Sequence, residues 1–205
     1  MKQEINPQNS SRAYAFNRWM SSPMPMVTLV KTFDVSHIRK YGKNHHLSFN
    51  MLLCWCIGKA ASRIDEFYTL LEQGKLFRYD RLAIDVVVKN REGGINFCNI
   101  PYSDDLQQFN SDYQKFTRHV VETCKDKFLN DAVVIGTSAI ITIELDCIVN
   151  QYTDKFCNPY VMWGKYRKGW FKTTLPISFQ FHHVQMDGEQ GAQFLDFLQT
   201  EINNI

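Results

Sequence analysis

Two of the six histidines stand side by side in His182-His183-Val184-Gln185-Met186-Asp187-Gly188, directly after the alternating run Leu175-Pro176-Ile177-Ser178-Phe179-Gln180-Phe181. If that run is a strand, successive side chains point to opposite faces. Leu175, Ile177, Phe179, Phe181 and His183 then line an apolar side, and Ser178, Gln180 and His182 line the other. An isolated histidine on an apolar face is ordinarily a core residue satisfied by a backbone carbonyl. Here the imidazole ends the row and is followed by an aspartate and a glycine at a chain turn. That is how a general base would be set beside a dry cleft, and the chemistry it suits is proton abstraction.

Such a base needs a scaffold, and the remaining periodicities describe one. Residues 25–33 read as a strand from their β-branched content, and Asp34 is placed to cap a short helix to about Tyr41, stopped by Gly42. Ser48 caps a longer helix in which Phe49, Leu52, Leu53, Cys56, Ile57, Ala60 and Ala61 recur at helical spacing, with enough further apolar residues to predict burial on more than one side. Strands are expected at 76–79, 83–88 and 95–98, then a helix capped by Ser103 to about Cys124, strands near 133–146, 159–166 and 171–182, and a final helix carrying Phe194, Leu195, Phe197, Leu198 and Ile202. Strands without regularly alternating helices predict an α+β fold, a two-layer mixed sheet with helices packed on it.

Composition narrows the function classes. The chain of 205 residues is long enough for one sizeable core, so a single domain over 1–205 is expected. A net charge of +2 from 23 basic and 21 interspersed acidic residues leaves no basic stripe for nucleic acid. The most apolar stretch, Met51 to Ile57, is too short to span a bilayer, and the N-terminal residues lack a signal-peptide pattern, so a cytoplasmic protein without membrane attachment is expected. Cysteines at 54, 56, 98, 124, 147 and 157 form no Cys-x-x-Cys pair, which supports neither a zinc site nor a disulfide framework. His45-His46, in a polar loop, has no partner at ligand spacing. Small-molecule partners and no metal are expected.

The string His182-His183-x-x-x-Asp187-Gly188 resembles the motif of the chloramphenicol acetyltransferase family, and further segments agree in order. Ser48-Phe49 through Ile64-Asp65-Glu66-Phe67 is similar to that family's core helix and the segment after it, Gly74-Lys75-Leu76 to a following turn, and Tyr102-Ser103-Asp104-Asp105-Leu106 to the start of its long helix. The resemblance implies the fold of the coenzyme A-dependent acyltransferases and acetyl transfer from acetyl-coenzyme A, used as a co-substrate with no tightly bound cofactor, to a hydroxyl of chloramphenicol or a similar small molecule. It implies His183 as the base and Ser138, in Gly136-Thr137-Ser138-Ala139, as donor to the developing oxyanion. It further implies a structural pair between Asp187 and an arginine near the N-terminus, matched here by Arg18, a coenzyme contact at Lys165-Tyr166, and a homotrimer with sites between subunits. Met162 stands where the family has a threonine, and the segment after Arg18 is shortened. Both departures leave open another hydroxyl or thiol acceptor, or a binding homologue without catalysis.

Overall fold

The computed structural model, in which residues 1–153 and 155–205 are described, orders these elements as β1 (Lys2–Ile5), α1 (Ala13–Trp19), β2 (Met26–Asp34), α2 (Ser36–His45), α3 (Phe49–Ala61), β3 (Thr69–Glu72), β4 (Lys75–Tyr79), β5 (Leu82–Lys89), β6 (Ile95–Pro101), α4 (Leu106–Thr123), β7 (Val133–Ile140), β8 (Tyr160–Gly164), β9 (Arg167–Lys168), β10 (Thr173–His182) and α5 (Gly188–Asn204). The main sheet runs β2-β10-β8-β7-β5-β6, with β9 paired to β10. It is mixed as expected: β7 is parallel to both β5 and β8, and the β2/β10, β8/β10 and β5/β6 pairs are antiparallel.

One face of this sheet meets the helices. Phe33, Ile177, Phe179 and Phe181 from the sheet pack with Phe67 and with Phe194 of α5, all fully buried, and the Phe179 and Phe194 rings approach to 4.4 Å. Each such burial is worth about 1.5–3 kcal/mol, so this cluster dominates the attachment of α5. Gly191 lets α5 come close, because a Cβ there would lie 2.7 Å from the Phe181 ring. The N-terminus of α5, and with it Asp187, is thereby held against the end of β10. Helix α3 is buried from Met51 through Gly58, and Ser48 caps it by accepting from Met51 N.

The opposite face of β10 is covered as well, which alternation did not announce. Ser178 and Gln180 are buried because the irregular chain after β7 lies over them: Ile148 N donates to Ser178 Oγ at 2.9 Å, and Gln180 Nε2 donates to Asn150 O at 3.3 Å. Other elements depart from expectation for local reasons. A small sheet β1-β4-β3 recruits the N-terminal strand, held by side-chain pairs such as Lys2 with Glu72 and Lys75 with Glu4. Helix α2 passes through Gly42 and stops at His46, in the left-handed conformation. Gly42 is there for packing, since a Cβ would stand 2.9 Å from Leu47 O. Asp105, not Ser103, caps α4, accepting from Gln107 N and Gln108 N. Strand β7 ends at Ile140, short of the expected 146.

Candidate active site

Strand β10 ends at His182, and the chain then turns into α5 through residues 183–187. The turn is anchored by the backbone, His183 N donating to Pro25 O at 2.8 Å and Gln185 N to His182 O at 2.9 Å, and by the fully buried Val184 and Met186. His183 therefore leaves the strand instead of ending its apolar row. The buried imidazole is His182, 2% exposed, whose Nδ1 accepts from Val184 N at 3.1 Å. An accepting Nδ1 requires the neutral ring with its proton on Nε2. Burial, with His183 adding to it, pushes the His182 pKa down to about 4.

Arg12 organises the turn. Its guanidinium donates from Nε to Val184 O at 2.9 Å, from Nη2 to His183 O at 2.7 Å, and to both carboxylate oxygens of Asp187, Nη1 to Oδ2 at 2.6 Å and Nη2 to Oδ1 at 3.0 Å. The side chain is nine-tenths buried, and the planar fork matches the carboxylate in a way that a lysine ammonium would not. The Arg12 bonds hold the Asp187 carboxyl below the usual carboxylate range, opposed by its partial burial. Arg18, the expected partner of Asp187, is exposed and lies over the Trp19 ring, its Cζ 5.3 Å from the centroid. Helical periodicity explains the correction. Arg12, Ala15, Phe16 and Trp19 share the inward side of α1, whereas Arg18 turns outward with Tyr14.

His183 sits between two of these groups. The Trp19 ring stacks on the imidazole with centroids 4.5 Å apart and planes 11° from parallel. Its Nδ1 stands 3.1 Å from Asp187 Oδ1, within ion-pair distance, yet the ring is not aligned for a hydrogen bond and Nδ1 is left without one. A quarter of the side chain remains exposed, in contrast to His182. Trp19 and Arg12 are the residues that the sequence reading missed. Their seven-residue spacing, two helical turns, was the available signal.

Ser138 lies in β7, where Thr137 turns to the helical face and donates through Oγ1 to Asp85 O at 2.7 Å. Ser138 consequently faces the other side, half-buried, with no hydrogen-bond partner for its hydroxyl among the described residues. Across β8 it is level with Met162, and Met162 is level with Ser178 of β10. Ser178 precedes His182 by four residues, so two strand spacings and four rises separate the backbones of Ser138 and His182 by about 16 Å. One chain does not bring Ser138 to His183. Lys165 and Tyr166 follow β8, with Tyr166 against Phe49 at 5.5 Å and under Arg39 at 5.3 Å, and both lie away from the histidine turn. Among the described residues no group of His, Cys, Asp and Glu is placed to hold a metal ion, and no helix is long and apolar enough to cross a membrane.

Comparison with known proteins gives the family and the fold. The family model described as chloramphenicol acetyltransferase matches residues 3–199. Chloramphenicol acetyltransferase 3 of Escherichia coli is 25% identical over 187 residues, covering 86% of this chain and 85% of the relative. The chloramphenicol acetyltransferase of Campylobacter coli is 22% identical, covering 98% of each. Among solved structures, a chloramphenicol acetyltransferase superposes with a TM-score of 0.83 at 20% identity, over 98% of this chain and all of that one. The dihydrolipoamide acetyltransferase of Azotobacter vinelandii, described in terms of a serine, a histidine and an asparagine in its catalytic mechanism, superposes at 0.69 with 15% identity, over 94% of this chain and 86% of its own.

Proposed function

The chain belongs to the chloramphenicol acetyltransferase family, an acetyltransferase using acetyl-coenzyme A and a hydroxyl acceptor, and from that premise we propose that it transfers acetyl to a hydroxyl of chloramphenicol or a similar small molecule with His183 as base. The observation that carries this reading is the fixed imidazole. Arg12 holds the His183 carbonyl and Asp187 together, Trp19 covers one ring face, and part of the ring stays open.

The chemistry follows from these positions. The Asp187 carboxylate, 3.1 Å from Nδ1, favours the tautomer protonated there and leaves the Nε2 lone pair as base. Nε2 takes the acceptor's hydroxyl proton as its oxygen attacks the thioester carbonyl. The tetrahedral oxyanion collapses with cleavage of the carbon–sulfur bond, and the departing thiolate receives the proton from His183. Asp187 stays ionised throughout, tied to Arg12 as a support and not as a proton acceptor. A positioned base contributes roughly 10²–10⁴-fold in rate.

Ser138 is read as the oxyanion donor serving the His183 of another copy, a reading supported by the roughly 16 Å between it and the histidine turn in one chain. A homotrimer with sites between subunits supplies that arrangement, each chain acting as one catalytic domain. Lys165 and Tyr166 contact the coenzyme, and the protein works in the cytoplasm. A second reading, an acceptor other than chloramphenicol, is favoured by Met162. Level with Ser138 and buried, it offers no hydrogen-bond donor to the reacting centre. Thiol release from acetyl-coenzyme A with the purified protein, across chloramphenicol and a panel of alcohols and thiols, tests both. Turnover of chloramphenicol near that of the best acceptor supports the first, preference for another acceptor supports the second, and no turnover with any acceptor removes both.

A further inference from the structure

Asp85 is a carboxylate in the middle of the main sheet, 7% exposed. Its neighbours Ile84 and Val86 belong to the core under the helices, so its side chain points to the opposite face, the one that carries Ser138. The parallel pairing of β5 with β7 sets Asp85 level with Gly136. Ser138 stands two residues further along the same face, so one strand spacing and two rises put the backbones of Asp85 and Ser138 about 8 Å apart.

The carboxylate is poorly compensated. Asn99 Nδ2 donates to Oδ1 at 2.8 Å, but among the described residues no cation pairs with it, and the charged group that acts on it, Asp126, is of the same sign. Burial pushes the Asp85 carboxyl up to about 6, opposed by the Asn99 bond and the Cys98 backbone. Support of the scaffold does not explain the charge. Asn99 holds the chain through its own Oδ1, which accepts from Leu129 N at 2.9 Å, and its amide needs from position 85 only an acceptor oxygen, which an asparagine would supply without a buried ion. Beside the carboxylate lies an aromatic face. The half-buried Tyr160 ring covers Gly136, and burial raises its phenol with Asp85 adding to the rise. A carboxylate next to a ring face is suited to an ammonium, which both attract, whereas a neutral donor leaves the charge unpaired.

We infer that Asp85 selects acceptors that carry a protonated amine, the ammonium held by the carboxylate against the Tyr160 ring and the hydroxyl presented at Ser138 to the His183 of another copy. The inference rests on the acetyl-transfer reading above and names the class of acceptor within it: an amino alcohol whose two groups are separated by a span comparable to the distance of about 8 Å between the two backbones. Chloramphenicol, which is uncharged, leaves Asp85 without a partner.

The test compares kcat/KM for two acceptors of equal length, ω-aminohexanol and heptanol, which differ by an ammonium in place of a methyl. The native protein is expected to favour the amino alcohol on the order of tenfold or more, the effect of a charge-assisted hydrogen bond, and to release the ester. Asp85→Asn keeps an acceptor oxygen for Asn99 and removes the charge, so heptanol should be used as well as before while the preference for the amine disappears. Equal use of the two acceptors by the native protein, an amide product, or a preference that survives Asp85→Asn overturns the inference. A variant that loses both acceptors alike and melts at a lower temperature makes Asp85 a structural residue and overturns it too. Saturation-transfer NMR with ω-aminohexanol reads binding without turnover. A signal that Asp85→Asn abolishes supports the site even in a chain that acetylates no acceptor, an outcome that removes the acetyl-transfer reading alone, and no signal from the native protein sinks the inference whatever the activity.

Discussion

Arg12 contributes four hydrogen bonds to a five-residue turn, and that concentration makes it the residue whose loss reaches furthest. Arg12→Ala should leave the carbonyls of His183 and Val184 unsatisfied and the Asp187 carboxylate uncompensated, costing about 3 kcal/mol in stability and lowering turnover with it. Arg12→Lys should recover little, because an ammonium does not span both carboxylate oxygens. Arg18→Ala should stay within about 0.5 kcal/mol of the native protein in a denaturant titration, and equal losses at 12 and 18 would contradict the clamp. The two histidines should separate as well. His183→Ala is expected to remove most acetyl transfer with the fold intact, whereas a substitution at His182 acts on stability. His182 titrates near 4 in the folded chain and near 6.5 in the unfolded one, so the unfolded state binds the proton first as the pH falls. Stability is therefore fully present above about pH 6.5 and declines toward pH 4, by about 3 kcal/mol over that window, and His182→Gln should flatten the decline. The motif was legible in sequence because its residues are contiguous. The arginine was not, since pairing depends on which side of α1 faces inward, and matching by local context chose Arg18 where the run Arg12, Ala15, Phe16, Trp19 marked the inner side.

At the scale of elements, alternation gave most strands of the main sheet but not β1 or β3 of the small one, and the helical stripe of α3 and the capping serine before it gave that helix its start. It failed to show coverage on the polar side. Ser178 and Gln180 look like surface residues in sequence and are buried because the chain after β7 folds back over them, a contact between segments roughly 30 residues apart that no local pattern encodes. The expected length of β7 failed for the same reason, since Ile140 is where the strand leaves the sheet to make that cover. The β7/β8 pair that presents Ser138 has its own constraint. Gly136 is level with Tyr160, and a Cβ at 136 would fall 2.2 Å from the Tyr160 ring, so the tyrosine lies flat over the glycine. Gly136→Ala should displace that ring or the strand, lowering stability by about 1–3 kcal/mol and reducing turnover through Ser138, two residues along the same face. A thermal melt unchanged from the native protein would mean that Tyr160 moves aside without cost.

For the whole molecule, the separation of Ser138 from the histidine turn turns a structural fact into a test of assembly. If each site takes His183 from one subunit and Ser138 from the next, a chain bearing His183→Ala still donates a sound Ser138, and a chain bearing Ser138→Ala still donates a sound His183. Each variant alone should be impaired, the serine change by on the order of 3 kcal/mol, typical of one oxyanion donor. Co-assembled in equal amounts, random neighbours in a closed ring should restore about one quarter of the sites, whatever the number of subunits. Mixing the two purified variants without subunit exchange should restore nothing, which separates assembly from simple addition. Activity of the co-assembled protein no higher than the mean of its parents would mean that both residues of a site come from one chain, and the distance along β10 and across β8 would then have to be closed by a rearrangement of the sheet. That outcome is opposed by β10, which is paired to β2 from Thr174 through His182, paired to β8 over 177–180 and largely buried on both faces, so that the sheet holds the strand against a shift carrying His183 toward Ser138.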